Sequence, residues 1–250
     1  MSSVRSAVAL LTRFPVATAE TDTPGAAAFG LVGAGVGLVG AIPFVLAGSL
    51  GEPWIGAVAA IATMAVVTGA LHLDGLADTA DAVMARDPEA AERARKDPHV
   101  GTGGVVALVL VIAAGVVALV SLGATGSAGA IRGGIVLVAV ASASRVVPIL
   151  VTITLGRLRP AGVTMLGGWF AERVTRADGL VAIASTTVLA IALGLIGGPV
   201  VVIATIGTLL VGSVAGAIVV ALRGGLDGDG MGALIELSLV SGLIVAALAS

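Results

Sequence analysis

GVVALVLVIAAGVVALVSL, residues 104–122, is nineteen residues without a charge, a proline or an aromatic side chain. About twenty such residues cross the hydrocarbon of a bilayer as a helix. In that setting a helix is the one local structure that pairs its own backbone N–H and C=O groups. Working outward, six further runs read the same way: 26–50, 53–71, 131–155, 180–197, 199–222 and 231–249. The chain is 58% hydrophobic and 11% charged, with a mean hydropathy of +1.15, whereas soluble domains carry about 25% charged residues. The expected fold class is all-α: a polytopic integral membrane helical bundle of about seven transmembrane helices, residues 1–250 forming one membrane-embedded domain. Only Gly197-Gly198-Pro199 separates the fifth run from the sixth, so that pair reads as a tight hairpin. Six spans with a fused or re-entrant piece is the other reading.

The apolar bulk is Ala, Val, Leu, Ile and Gly. Trp54 and Trp169 are the candidates for interfacial anchors. Gly30, Gly33, Gly37 and Gly40 make a small-residue stripe that suits close helix packing. There is no cysteine, so disulfides, thiolate metal sites and a cysteine nucleophile are excluded. The net charge of −2 gives no hint of nucleic-acid binding. Residues 4–19 are interrupted by Arg13 and read as a short interfacial helix or a lead-in to the first span rather than a signal peptide.

Basic residues set the expected orientation. With the N-terminus inside, Arg5, Arg13, Arg86, Arg93, Arg95, Lys96, Arg157, Arg159, Arg173, Arg176 and Arg223 fall on the cytoplasmic side, and Arg132 alone falls outside. Arg145 lies within a span. The same arrangement collects nearly all the acidic residues on the cytoplasmic face.

Against this background LHLDGLADTADAV, 71–83, stands out. Asp74, Asp78 and Asp81 lie within about 60° of one another on a helix. Like charges so placed repel, and a hard cation such as Mg²⁺ among them relieves the repulsion and suits phosphate chemistry. A solvated helix start with Asp74 as its cap is the plainer alternative. His72 points away from that face. A structural histidine and a ligand are equally good readings of it.

Three further stretches carry chemistry. RKDPHVGTGG, 95–104, places Lys96, Asp97, His99, Gly101 and Thr102 just before a span. Backbone N–H groups at a helix start bind anions, although a loop with Thr102 as cap explains the pattern as well. Arg145 is costly inside a span unless paired or facing a polar cavity, and its natural partners are the aspartates or a phosphate. RGGLDGDGMGALIEL, 223–237, sets Asp227 and Asp229 on a glycine-rich turn and Glu236 a turn or more inside the apolar run. Arg13, Arg157 and Arg159 suit phosphate or anionic headgroups.

These residues carry a resemblance. LTRFPV at 11–16, GALHLDGLADTAD at 69–81, KDPHVGTGG at 96–104, SRVVP at 144–148 and GGLDGDGMGA at 224–233 resemble, in order, the motifs of the cobalamin synthase family, the adenosylcobinamide-GDP ribazoletransferases. Pro98, Gly103, Asp227 and Leu239 depart from the family's usual residues. The resemblance implies a transferase in the bacterial cell membrane with its site facing the cytoplasm. The ribose hydroxyl of α-ribazole, or of its 5′-phosphate, would attack the corrinoid-side phosphorus of adenosylcobinamide-GDP. GMP would leave, with Mg²⁺ required. It further implies that Asp74, Asp78 and Asp81 hold the metal. One of them or Asp97 accepts the proton, and Arg145 and Lys96 stabilise phosphate charge. Arg13, His99, Gly101, Thr102 and Asp229 contribute to binding. A CDP-alcohol-type phosphotransferase is the nearest rival, though the Ala-Arg it needs after Asp-Gly is missing, and an ion-coupled transporter is a more distant one. Oligomeric state is left open.

Overall fold

The computed structural model describes residues 2–16, 23–85, 87, 99–155 and 165–250. Helices α1 (Ser2–Leu11), α2 (Phe29–Ser49), α3 (Pro53–Thr68) and α4 (Leu71–Met84) come first. They are followed by α5 (Thr102–Gly123), α6 (Ser127–Thr154), α7 (Met165–Arg173), α8 (Arg176–Gly197), α9 (Pro199–Arg223) and α10 (Gly228–Leu248). No strand occurs among the described residues. Six stretches are long and apolar enough to cross a membrane: Ala26–Ser49, α5, α6, α8, α9 and α10. The architecture is that of a polytopic helical membrane protein.

The seventh expected span, 53–71, takes a different form. α3 has only 16 residues, about 24 Å at 1.5 Å each. It stops where Gly69 (φ 64°) and Ala70 (φ 58°) both enter the left-handed region. For alanine that conformation costs about 1–2 kcal/mol, so surrounding packing must hold it. The chain turns by 92°, and α4 lies across the end of the bundle instead of continuing α3. There it meets the start of α5, the end of α9 and the start of α10. The hairpin between α8 and α9 is as tight as its sequence suggests: Gly198 (φ 88°) is the sole linker, and Pro199 opens α9.

α6 is the central helix. Its stretch from Ala139 to Ile149 is buried throughout, and α2 packs along it through the glycine stripe. A Cβ on Gly33 would collide with the Ala141 carbonyl, and one on Gly37 would stand 2.9 Å from the Leu137 carbonyl. Gly40 serves α3 instead, where a Cβ would lie 2.7 Å from Met64. The stripe is therefore a packing device. Ser142 and Thr186 share a buried hydrogen bond of 3.1 Å between α6 and α8. Large side chains point outward, as lipid solvation allows: Leu195 of α8 is 85% exposed.

The N-terminal stretch forms a short helix, α1, which buries Ala7 and Leu11 and exposes Arg5. α7 was not foreseen. Phe170 of α7 packs on Phe29 with ring centroids 5.7 Å apart, and the Arg173 guanidinium lies 5.4 Å above the Trp169 ring. Trp169, in the middle of α7, is thus engaged by the helix's last residue.

Candidate functional site

The site is built on α4. Its first half presses backbone to backbone against the start of α10. A Cβ on Gly75 would lie 2.7 Å from the Asp229 carbonyl oxygen, and one on Gly232 would lie 3.2 Å from the His72 Cα. This approach brings Asp229, in the first turn of α10, to the aspartate face of α4. Asp74 is exposed there, and Asp78 and Asp81 are half-buried. Burial pushes the Asp78 carboxyl above its ordinary value. The negative charges of Asp229, Asp74 and Asp81, in that order, push it further, and Arg223 opposes them. Asp229 of α10 thus adds its charge to those of the three α4 aspartates, one carboxylate more than the run at 71–83 suggests.

Asp81 has a second partner set. Its carboxylate accepts from Gly101 N–H at 2.7 Å and Gly104 N–H at 2.8 Å. It thereby caps α5, whose own N-cap residue is the side-chain-less Gly101. The anion held by this glycine-rich helix start is thus an aspartate of the same protein. Thr102 is exposed beside it and does not supply the cap. His99 is exposed at the mouth of the loop. Lys96 and Asp97 lie outside the described residues.

Arg223, read from the sequence only as one more cytoplasmic charge, is the arginine at the aspartates. It donates to Thr79 Oγ1 at 2.9 Å and to Asp227 Oδ2 at 2.6 Å. Asp227 in turn accepts from Gly230 N–H at 2.9 Å and caps α10. The i,i+4 spacing of Arg223 and Asp227 was the available signal. Arg13 is exposed, and its N–H donates to the Val67 carbonyl at 3.0 Å, which sets it at the α3–α4 elbow.

Arg145 is elsewhere. It is 1% exposed, and its Nη1 donates to the Ala141 carbonyl at 3.3 Å and to Ser144 Oγ at 3.0 Å. Together with Glu236 it lines a cavity of about 40 Å³ inside the bundle. Its charged neighbour is therefore Glu236 and not the aspartates. His72 is buried on the side of α4 away from Asp74, and its Nδ1 lies 3.9 Å from Glu236 Oε1.

The charged motif thus forms one polar face from α4, α5, α9 and α10, with a second ionic group beneath it. The family model of cobalamin-5-phosphate synthase matches residues 3–247. The chain belongs to this family. It is 34% identical to the adenosylcobinamide-GDP ribazoletransferase of Pseudomonas paraeruginosa, over 99% of this chain and 98% of that protein. The enzyme of the same name from Citrobacter koseri is 32% identical over 92% of this chain and 93% of its own. That of Thiobacillus denitrificans is 50% identical over a local stretch, 36% of this chain and 35% of its own. No solved structure matches the chain. Membership makes this cobalamin-5-phosphate synthase relative a transferase of cobalamin biosynthesis. It removes the footing of the CDP-alcohol and transporter readings.

Among the described residues no three acidic or histidine side chains form a ready-made metal cage. Mg²⁺ keeps several waters and is commonly held by one or two carboxylates plus substrate phosphates. The negative charge that Asp74, Asp81 and Asp229 set around Asp78 is an excess such an ion would relieve. Asp81, though engaged with two N–H groups, retains free lone pairs.

Proposed function

We propose that this enzyme joins adenosylcobinamide-GDP to α-ribazole, or to α-ribazole 5′-phosphate. The products are adenosylcobalamin or its 5′-phosphate, plus GMP. The setting is the bacterial cytoplasmic membrane, with the α4 face toward the cytoplasm. The observation that carries the reading is the convergence of Asp74, Asp78, Asp81 and Asp229 beside Arg223 at one end of an apolar bundle. The name of the relatives supplies the two reactants, adenosylcobinamide-GDP and ribazole.

Asp74 and Asp78, with Asp229 and a free lone pair of Asp81, would hold Mg²⁺. Bound there, the ion supplies neutralisation of pyrophosphate charge. The chain's residues do the rest. The α4 face orients the pyrophosphate so that the ribose hydroxyl approaches the corrinoid-side phosphorus in line. As the new P–O bond forms, the bond to the GMP oxygen breaks, and an aspartate of this face or Asp97 accepts the hydroxyl proton. Basic side chains, Arg13 at the α3–α4 elbow and Lys96 of the 95–104 motif, counter the charge that collects on the phosphates. Arg223 keeps Thr79, and so the Asp78 turn of α4, in place.

Protein in nanodiscs, given adenosylcobinamide-GDP and either α-ribazole or its phosphate with Mg²⁺, should release GMP and form the cobalamin product in equal amounts. EDTA should stop both. A folded, inserted sample that forms neither product from either acceptor would end this reading.

A further inference from the structure

The buried group beneath α4 has no place in the chemistry above. Three ionisable side chains from three helices meet inside the bundle: Arg145 of α6, Glu236 of α10 and His72 of α4. Arg145 and His72 are 1% and 3% exposed. Arg145 Nε and both ring nitrogens of His72 are buried without a hydrogen-bond partner. Glu236 approaches His72 no closer than 3.9 Å, and among the described residues it makes no direct ion pair with Arg145. Unbridged, such an arrangement is expensive at membrane depth. His72 lies beside Glu236, outside the lining; the cavity that Arg145 and Glu236 share is walled otherwise by Thr68 and by apolar side chains such as Ile61, Met64, Leu73 and Ile112. At about 40 Å³ it has room for roughly three waters at 10–15 Å³ each.

We propose that Arg145, Glu236 and His72 form a single water-bridged charge network that positions α4, and with it the aspartate face, from below. The geometry gives the network a direct lever. His72 lies two residues before Asp74 in the first turn of α4, and Gly232 holds its backbone against α10. Arg145 supplies the positive charge, Glu236 the negative one, waters in the cavity bridge the two, and Glu236 Oε1 faces the His72 ring. These are positioning residues. Outer-shell groups of this kind typically alter metal affinity or activity by about 10–100-fold when removed. The proposal rests on the reading that the α4 aspartates hold the cation at the reacting phosphates.

The test separates positioning from mere packing. Glu236→Gln and Arg145→Met should each lower both the unfolding temperature and kcat, the latter about tenfold or more. The double variant Arg145→Met/Glu236→Met replaces two buried opposite charges by apolar groups of similar length, which is often neutral for stability. It should regain the wild-type unfolding temperature while kcat stays about tenfold down and KM for the corrinoid is unchanged. His72→Asn keeps a polar atom near the Nδ1 position and should retain activity within about threefold, whereas His72→Leu should lose tenfold or more. Mn²⁺ titration followed by electron paramagnetic resonance reads the network without turnover: affinity should fall about 10–100-fold in the double variant and in His72→Leu. Recovery of kcat together with stability in the double variant would reduce the trio to a packing element and overturn the proposal. So would wild-type Mn²⁺ affinity in His72→Leu. If instead wild type binds Mn²⁺ in the cluster yet never turns over adenosylcobinamide-GDP, the substrate reading fails while the network stands or falls on the titration.

Discussion

At the scale of single residues, Asp78 is the centre of the proposed cation site. It is crowded by three like charges and partly desolvated. Asp78→Asn should reduce turnover by at least about a hundredfold while membrane insertion is unchanged, as read by GMP release and by detergent size-exclusion profile. Near-wild-type turnover would remove the carboxylate cluster from the mechanism. The raised Asp78 value also has a sign for stability. The folded state holds the proton more tightly than the unfolded one. This contribution is therefore full below the unfolded value near 3.8 and is lost as pH rises through the higher folded value. In EDTA, the unfolding temperature of wild type should thus decline over that rise relative to Asp78→Asn. Equal slopes would mean that the crowding is not felt. Arg145 shows how far residue-level reading reaches. That it must be buried and compensated followed from its position in a span. Which acid compensates it did not follow, because Glu236 is 91 positions away in the chain and only the packing of α6 against α10 makes them neighbours.

At the scale of elements, α4 is held by small, specific contacts. Asp81 caps α5 from twenty residues upstream. Asp81→Ala removes the acceptor for two N–H groups and should cost about 1 kcal/mol, within the 0.5–2 kcal/mol range of helix caps. Asp81→Asn, which still accepts through one oxygen, should cost less. Thermal unfolding in detergent ranks the two variants, and equal losses would argue against the cap. Gly75 is the pivot between α4 and α10. A Cβ there would meet backbone, not a movable side chain, so Gly75→Ala should drive the helices apart at a cost of about 1–3 kcal/mol. It should also separate Asp78 from Asp229, with loss of Mg²⁺-dependent turnover out of proportion to the stability change. Full activity in this variant would show that Asp229 is not needed beside Asp78. The bend at Gly69–Ala70 was the element the hydropathy pattern concealed. Residues 53–71 carry no charge, and a left-handed alanine leaves no mark on hydropathy.

At the scale of the whole molecule, the path of the chain brings the start of α5, the end of α9 and the start of α10 to the side where α4 lies. That arrangement follows if α3 crosses as well, making seven crossings and placing the termini on opposite sides. The chain has no cysteine, so single introduced thiols report cleanly. Ser250→Cys should react with an impermeant maleimide in intact cells, and Ser3→Cys only after permeabilisation. Reaction of both under the same condition would exclude an odd number of crossings.

The division between sequence and structure follows from the range of the forces involved. Apolar length, basic-residue bias and the 3.6-residue period are local properties, and they sufficed for an all-helical membrane bundle, the α8–α9 hairpin and the aspartate face of α4. Contacts between distant segments are not local. The junction of Asp229 with Asp78, the engagement of Arg223 with Thr79, the capping of α5 by Asp81 and the meeting of Arg145 with Glu236 and His72 each depend on a close approach. Gly75 and Gly232 permit it between α4 and α10, and Gly33 and Gly37 permit it between α2 and α6. A glycine marks where two backbones are able to touch, but only the folded chain decides which two.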